Sequence, residues 1–235
     1  MLSPMSHLEL SAELCVLRYA RPFGIARWTH DHTCDVLVRV RGDGHEGWGE
    51  GAPNARYDEC AAAALEVFHR LPTLDAPHSL EDVTAQVSAL DPAAGQAARA
   101  ALDGALCDWL AKRHNSSLAK LLSLPAGPGP VSSYSIGLSS PEELHAALAA
   151  AQRYPLYKVK LSADATADTT TLAEIRARTN KPLRADANEA WPDREQALTR
   201  IEALTNLGAS SSASSPSPLV ALMTSPGSAL AHRCR

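Results

Sequence analysis

Three short apolar segments, each followed by a helix signal, leave few folds open to the second half of this chain. They are residues 131–137 (VSSYSIG), 156–161 (LYKVKL) and 182–188 (PLRADAN). Each is short enough for a strand and too short for a helix. The pattern predicts helices at about 140–153, 166–179 and 193–206. The first carries its own start signal: Ser140 as N-cap, Pro141 at N1 and Glu143 at N3 reaching back to the cap. Strand and helix alternating three times argue a parallel sheet with helical crossovers. The element lengths suit a doubly wound sheet and a TIM barrel alike.

Side-chain alternation narrows the choice. Lys158 and Lys160 share one face of their strand, and Tyr157, Val159 and Leu161 share the other. In the next strand Arg184, Asp186 and Asn188 fall on one face, opposite Leu183, Ala185 and Ala187. In a barrel the apolar sets pack under the outer helices and the charged sets point inward. Lys160 and Asp186 then lie near the C-terminal ends of their strands, where barrel active sites sit. A cation two residues away disfavours protonation of a lysine and suits it to act as a general base. Asp186 is a hard oxygen ligand of the kind Mg²⁺ prefers.

The first part of the chain reads differently. Residues 8–18 and 34–41 have strand character, Gly42-Asp43-Gly44 is a hairpin turn, and HEGWGEGAP is the returning strand. Helices are expected at about 57–70, 79–90 and 92–113, the last with an apolar stripe at 102, 106, 109 and 110. Strands followed by helices make an α+β unit. The run Pro125-Ala126-Gly127-Pro128-Gly129-Pro130 is a natural boundary. Three regions follow: an α+β capping domain with its helices over 1–125, the first part of a (β/α) barrel over 126–207, and a Ser/Pro-rich tail over 208–235. The chain is 45% hydrophobic and 20% charged with a net charge of −4, which offers no basic footprint for nucleic acid. No apolar run reaches the ~20 residues of a membrane span, and the N-terminus does not read as a signal peptide. Cys15, Cys34, Cys60, Cys107 and Cys234 form no CxxC pair, so reduced thiols in a cytoplasmic protein are expected.

Taken together and in order, these segments resemble the enolase superfamily in its muconate-lactonizing and mandelate-racemase branch, most of all the dipeptide epimerases of the L-Ala-D/L-Glu type. Residues 21–27 (RPFGIAR) resemble that family's first mobile loop, and residues 47–53 (GWGEGAP) with Ala55-Arg56-Tyr57 the second. Tyr134-Ser135-Ile136-Gly137 resembles barrel strand 1, LYKVKL the KxK strand and RADANEAW the DxN strand. The resemblance implies an isomerase that exchanges the proton alpha to a carboxylate. Lys160 would be the base or acid at that carbon. Lys158 would tune it and contact substrate. Asp186 would be the first Mg²⁺ ligand with Asn188 in support, and Ser135 and Arg27 would touch substrate. The expected partner is a small molecule, a dipeptide or an N-acyl amino acid, with a homo-oligomer possible in the intact enzyme and no nucleic-acid or membrane partner.

The family pattern stops near Leu207. Two further carboxylate ligands and a second lysine are expected on later strands, and ASSSASSP stands there instead. With one choice of GC-rich codons for these serines, the frame that starts one base earlier reads V-E-L-S-E-Q-P, close to the strand the family places next. A frameshift after Leu207 is therefore expected. About three βα units cannot close a barrel of eight, and the chain as written is expected to be inactive. Other muconate-branch activities, such as o-succinylbenzoate synthase or N-acyl amino acid racemase, and a non-catalytic product are the alternatives. His30-Asp31-His32 looks like a metal pair but is expected in a flexible loop. Asp103 and Asp108 are expected on the solvated face of their helix, and Trp48 either in contact with substrate or packed within the small domain.

Overall fold

An Asp-Gly pair with left-handed backbone starts the first sheet. Asp43 has φ 51° and Gly44 φ 76°, and Gly42 pairs with His45 across them. This is the two-residue turn whose twist matches antiparallel strands. It joins β2 (Trp28–Gly42) to β3 (His45–Gly51) in an antiparallel ladder. β1 (His7–Ile25) lies on the other side of β2, and the two-residue β4 (Leu74–Asp75) pairs with its start, giving the order β3-β2-β1-β4. The computed structural model describes residues 7–25, 28–71, 73–187, 190, 191, 193–207 and 209. They fall into two compact units, one of residues 7–18 and 32–127, the other of 19–31 and 128–209.

In the first unit α1 (Ala61–His69) stands between β3 and β4, and α2 (Leu80–Ser88), α3 (Gly95–Arg113) and the single turn α4 (Leu118–Leu121) follow β4. α3 is the spine. Its Leu102, Leu106, Trp109 and Leu110 are buried against Val36, Val38 and Val40 of β2 and Phe68 of α1. Each such side chain contributes about 1.5–3 kcal/mol relative to exposure. Gly47, Gly49 and Gly51 let β3 lie directly on the helix. A Cβ at Gly49 would sit 1.9 Å from the Ala101 carbonyl oxygen, and one at Gly51 2.2 Å from that of Ala97. β3 is also an edge strand, and α3 covers part of its edge. Asp108 Oδ2 accepts from the Trp48 N–H at 2.9 Å, and Lys112 Nζ donates to the Glu46 carbonyl at 3.0 Å.

The second unit holds β5 (Ser133–Ile136), α5 (Pro141–Ala150), β6 (Leu156–Lys160), α6 (Ala165–Arg176), β7 (Leu183–Asp186) and α7 (Arg194–Asn206). The strands are parallel in the order β5-β6-β7. Ile136, Tyr157, Val159 and Leu183 bury one face of this sheet against Leu148, Leu172, Ile175 and Leu204 of the helices. The alternation anticipated from the sequence is the one observed. So is the capping box of α5, where Ser140 Oγ accepts from the Glu143 N–H and Glu143 accepts from the Ser140 N–H.

Several boundaries differ from expectation. β1 and β2 run on well past the expected ends, so residues 21–25 and His30-Asp31-His32 belong to strands, not a loop. The reason is mutual pairing, which extends a ladder regardless of a segment's composition. The helix expected at 57–70 begins only at Ala61, after a 3-10 turn over Ala55–Tyr57 whose C-cap Asp58 has φ 57°. β4 and α4 are too short to show a period in the sequence.

Candidate active site

β6 and β7 deliver three charged groups to one place because Lys160 and Asp186 are register partners and Lys158 pairs with Arg184 one step earlier. Lys158 Nζ lies 2.7 Å and Lys160 Nζ 2.8 Å from the same oxygen, Asp186 Oδ2. The two ammonium nitrogens are therefore no more than about 5.5 Å apart. Two bare cations at that distance repel by about 3 kcal/mol at an effective dielectric near 20, less where solvent screens them. The shared carboxylate offsets this repulsion. Lys160 is the enclosed member, with 12% of its side chain exposed against 38% for Lys158 and 26% for Asp186. Ser135 of β5 is the register partner of Lys158 and is exposed on the same face, so Ser135, Lys158 and Arg184 form one row across the sheet. Arg27 and Asn188 lie outside the described residues.

Beyond Lys160 the chain is clamped. The Ser162 N–H and hydroxyl donate to Asp168 Oδ1 at 2.8 and 2.9 Å. Arg200 of α7 donates to the Ser162 carbonyl at 3.1 Å and to the Ala163 carbonyl, and lies 3.6 Å from Asp168 Oδ2. That last distance is an ion pair, not a hydrogen bond, and Asp168 is 4% exposed. Below the site Lys181 Nζ donates to the Gln152 and Tyr154 carbonyls and to the Tyr157 hydroxyl, tying β7 to the start of β6. Sequence reading did not find these residues. A buried Asp at a helix N-terminus and an Arg at mid-helix look like ordinary surface until the helices are packed.

At the C-terminal end of β5 the Leu138 N–H donates to the Gly24 carbonyl at 3.1 Å. A Cβ on Gly137 would come 2.9 Å from that oxygen, so the tip of β1 seats closely there. In the first unit Trp48 is 40% exposed on the outer face of the sheet, where Arg39 stacks over it at 5.3 Å. It borders a shallow cavity of about 250 Å³ with Glu13 and Leu37. Among the described residues no three His, Cys, Asp or Glu side chains come together to hold a metal, His30-Asp31-His32 included. No helix there is long and apolar enough to cross a membrane.

Residues 11–123 match the family model for the mandelate racemase / muconate lactonizing enzyme N-terminal domain. An L-Ala-D/L-Glu epimerase of Bacteroides thetaiotaomicron is 30% identical over 195 residues, covering 82% of this chain and 50% of the relative. An L-Ala-D/L-amino acid epimerase of Pedosphaera parvula is 34% identical over 164 residues, 68% of this chain and 46% of its own. The chain thus spans about half the length of these curated relatives. The dipeptide epimerase of Methylococcus capsulatus, solved with Mg and the dipeptide L-Arg-D-Lys, superposes with a TM-score of 0.76 at 25% identity over 87% of this chain and 60% of that one. The family match over residues 11–123, the curated relatives and the solved neighbour agree: the chain belongs to the enolase superfamily, in its mandelate racemase and muconate lactonizing branch.

Proposed function

We propose that this chain carries the capping domain and first three βα units of a dipeptide epimerase, acting at the α-carbon of an amino acid acylated on its nitrogen. The convergence of Lys158, Lys160 and Asp186 at the ends of adjoining parallel strands carries this reading. A dipeptide epimerised at its C-terminal residue is itself an N-acyl amino acid, so one site chemistry covers both substrate classes. The names of the curated relatives support the dipeptide.

The roles follow from position. Lys158, the more exposed cation, meets the substrate carboxylate and stabilises the charge that develops on it as the α-proton leaves. Lys160, enclosed and one strand step further on, takes or returns that proton once it releases Asp186. Ser135 flanks Lys158 and is placed to touch substrate, and Arg27 keeps the substrate contact the family resemblance assigns it. Mg accompanies the dipeptide in the solved Methylococcus relative. The residues described here do not fit such a site, because they offer one carboxylate whose Oδ2 already receives two ammonium groups. Residues 208–235 contain no Asp, Glu or Lys.

Inverting a stereocentre by proton transfer requires a base on each face of the α-carbon. Lys158 and Lys160 lie on one strand face, and no lysine follows Lys181. The chain alone is therefore expected to form no L-Ala-D-Glu from L-Ala-L-Glu. The test of the reading is a hybrid in which the barrel segment of the Bacteroides relative continues the chain after Leu207. The hybrid is expected to epimerise the dipeptide, and Lys160→Met to abolish this by at least a hundredfold. A folded hybrid that leaves every dipeptide unchanged overturns the proposal.

A further inference from the structure

We infer that Asp186 in this chain is the counter-ion that positions the lysine pair, not a ligand of a divalent cation. Four observations carry this. Both ammonium groups converge on a single oxygen, Asp186 Oδ2, at 2.7 and 2.8 Å. The convergence is built into the sheet, since Asp186 is the register partner of Lys160 and one step diagonal from Lys158. No other His, Cys, Asp or Glu among the described residues joins Asp186 to form a group that could hold a metal. Downstream of β7 the described acidic residues are Asp193, Glu195 and Glu202, and Glu189 lies outside the described residues. Of these, Asp193 caps α7, and Glu195 and Glu202 are exposed on that helix.

A cation arriving at Oδ2 must displace the charge-assisted hydrogen bond from Lys160 and the ion pair with Lys158, and leave two ammonium groups facing each other. Mg²⁺ gains little in exchange from one carboxylate, because it dehydrates reluctantly and binds tightly only where several oxygens are preset. The lysines, conversely, are flexible side chains that would diverge without a common anion. Asp186 is thus a positioning residue for Lys160. The inference concerns the chain as it stands and does not depend on which substrate the site takes.

The experiment has two readouts on the full chain. The first is Mn²⁺ binding by electron paramagnetic resonance, for wild type and Asp186→Asn. The second is thermal unfolding of wild type, Asp186→Asn, Lys160→Met and the double variant. The expected result is no saturable Mn²⁺ binding that Asp186→Asn removes, together with non-additive midpoints: the double variant loses less than the two single losses combined. If Asp186→Asn does not fold, Asp186→Ala replaces it in both readouts and in the same cycle with Lys160→Met. Saturable Mn²⁺ binding in wild type that is lost in the Asp186 variant overturns the inference. So do additive midpoints, which would show that the aspartate and the lysine do not hold one another. Mn²⁺ binding that persists unchanged in the Asp186 variant marks a site elsewhere, and the cycle alone then decides.

Discussion

Burial pushes the Asp168 carboxyl up from its ordinary value, and the Ser162 N–H and hydroxyl that donate to it pull the other way. A carboxyl raised in the folded state binds protons there that the unfolded chain has already lost. Its contribution to stability is full at low pH and is lost as pH rises through the raised value. Asp168→Asn keeps an oxygen for Ser162 and has no charge to bury, so this part of the decline with pH is expected to vanish. Melting wild type and variant at steps from pH 4 to 8 checks it; parallel curves would refute it. Cys107 illustrates the same physics in a thiol. Burial first, and Asp103 second, push it up to about 11. It is expected to stay unmodified by maleimide at neutral pH while the native chain's half-buried Cys15, Cys34 and Cys60 react, with peptide mapping by mass spectrometry as the check. Residue identity alone placed Lys158, Lys160 and Asp186 on one face. That both lysines would choose the same oxygen was not legible, because it depends on strand register and on rotamers of two long side chains.

At the scale of elements, the contact between β3 and α3 is the most exacting in the first unit. Gly49→Ala places a methyl 1.9 Å from the Ala101 carbonyl oxygen, which belongs to helix backbone and cannot step aside. A loss of about 3 kcal/mol is expected from such overpacking, measured by urea unfolding, with Gly44→Ala as a comparison that strains the turn but meets no atom within 4 Å. A near-neutral Gly49→Ala would mean that strand and helix can separate at little cost. In the second unit Ser140→Ala removes the cap of α5 and is expected to cost about 1 kcal/mol. That capping box was readable from four consecutive residues. The extension of β1 and β2, the brief β4 and the role of Asp108 on the β3 edge were not, because each is produced by a partner distant in sequence.

For the whole molecule, the exposed apolar surface of α7 has a consequence for solution behaviour. Leu198 is 51% and Ile201 37% exposed, three residues apart on one helix face, and β7 is the last strand of its sheet among the described residues. An unpaired edge beside an apolar stripe favours association between chains. Sedimentation is expected to show mass increasing with concentration, and Leu198→Glu with Ile201→Lys to reduce it. A chain that stays monomeric at high concentration would show this surface to be covered.

The amino-acid sequence by itself determined the local pattern: the period-two strands, the capped helices, the Asp-Gly turn, and the charged face that carries Lys158, Lys160 and Asp186. These rest on interactions within a few residues, where backbone sterics and side-chain alternation leave little choice. Only the tertiary structure decided how the pieces meet. It brought Asp186 Oδ2 between two lysines, drew Asp168 and Arg200 around the turn after β6, and laid three glycines of β3 on α3. Each of these contacts joins groups far apart along the chain, so its geometry is set by strand register and helix packing, which local propensity does not specify.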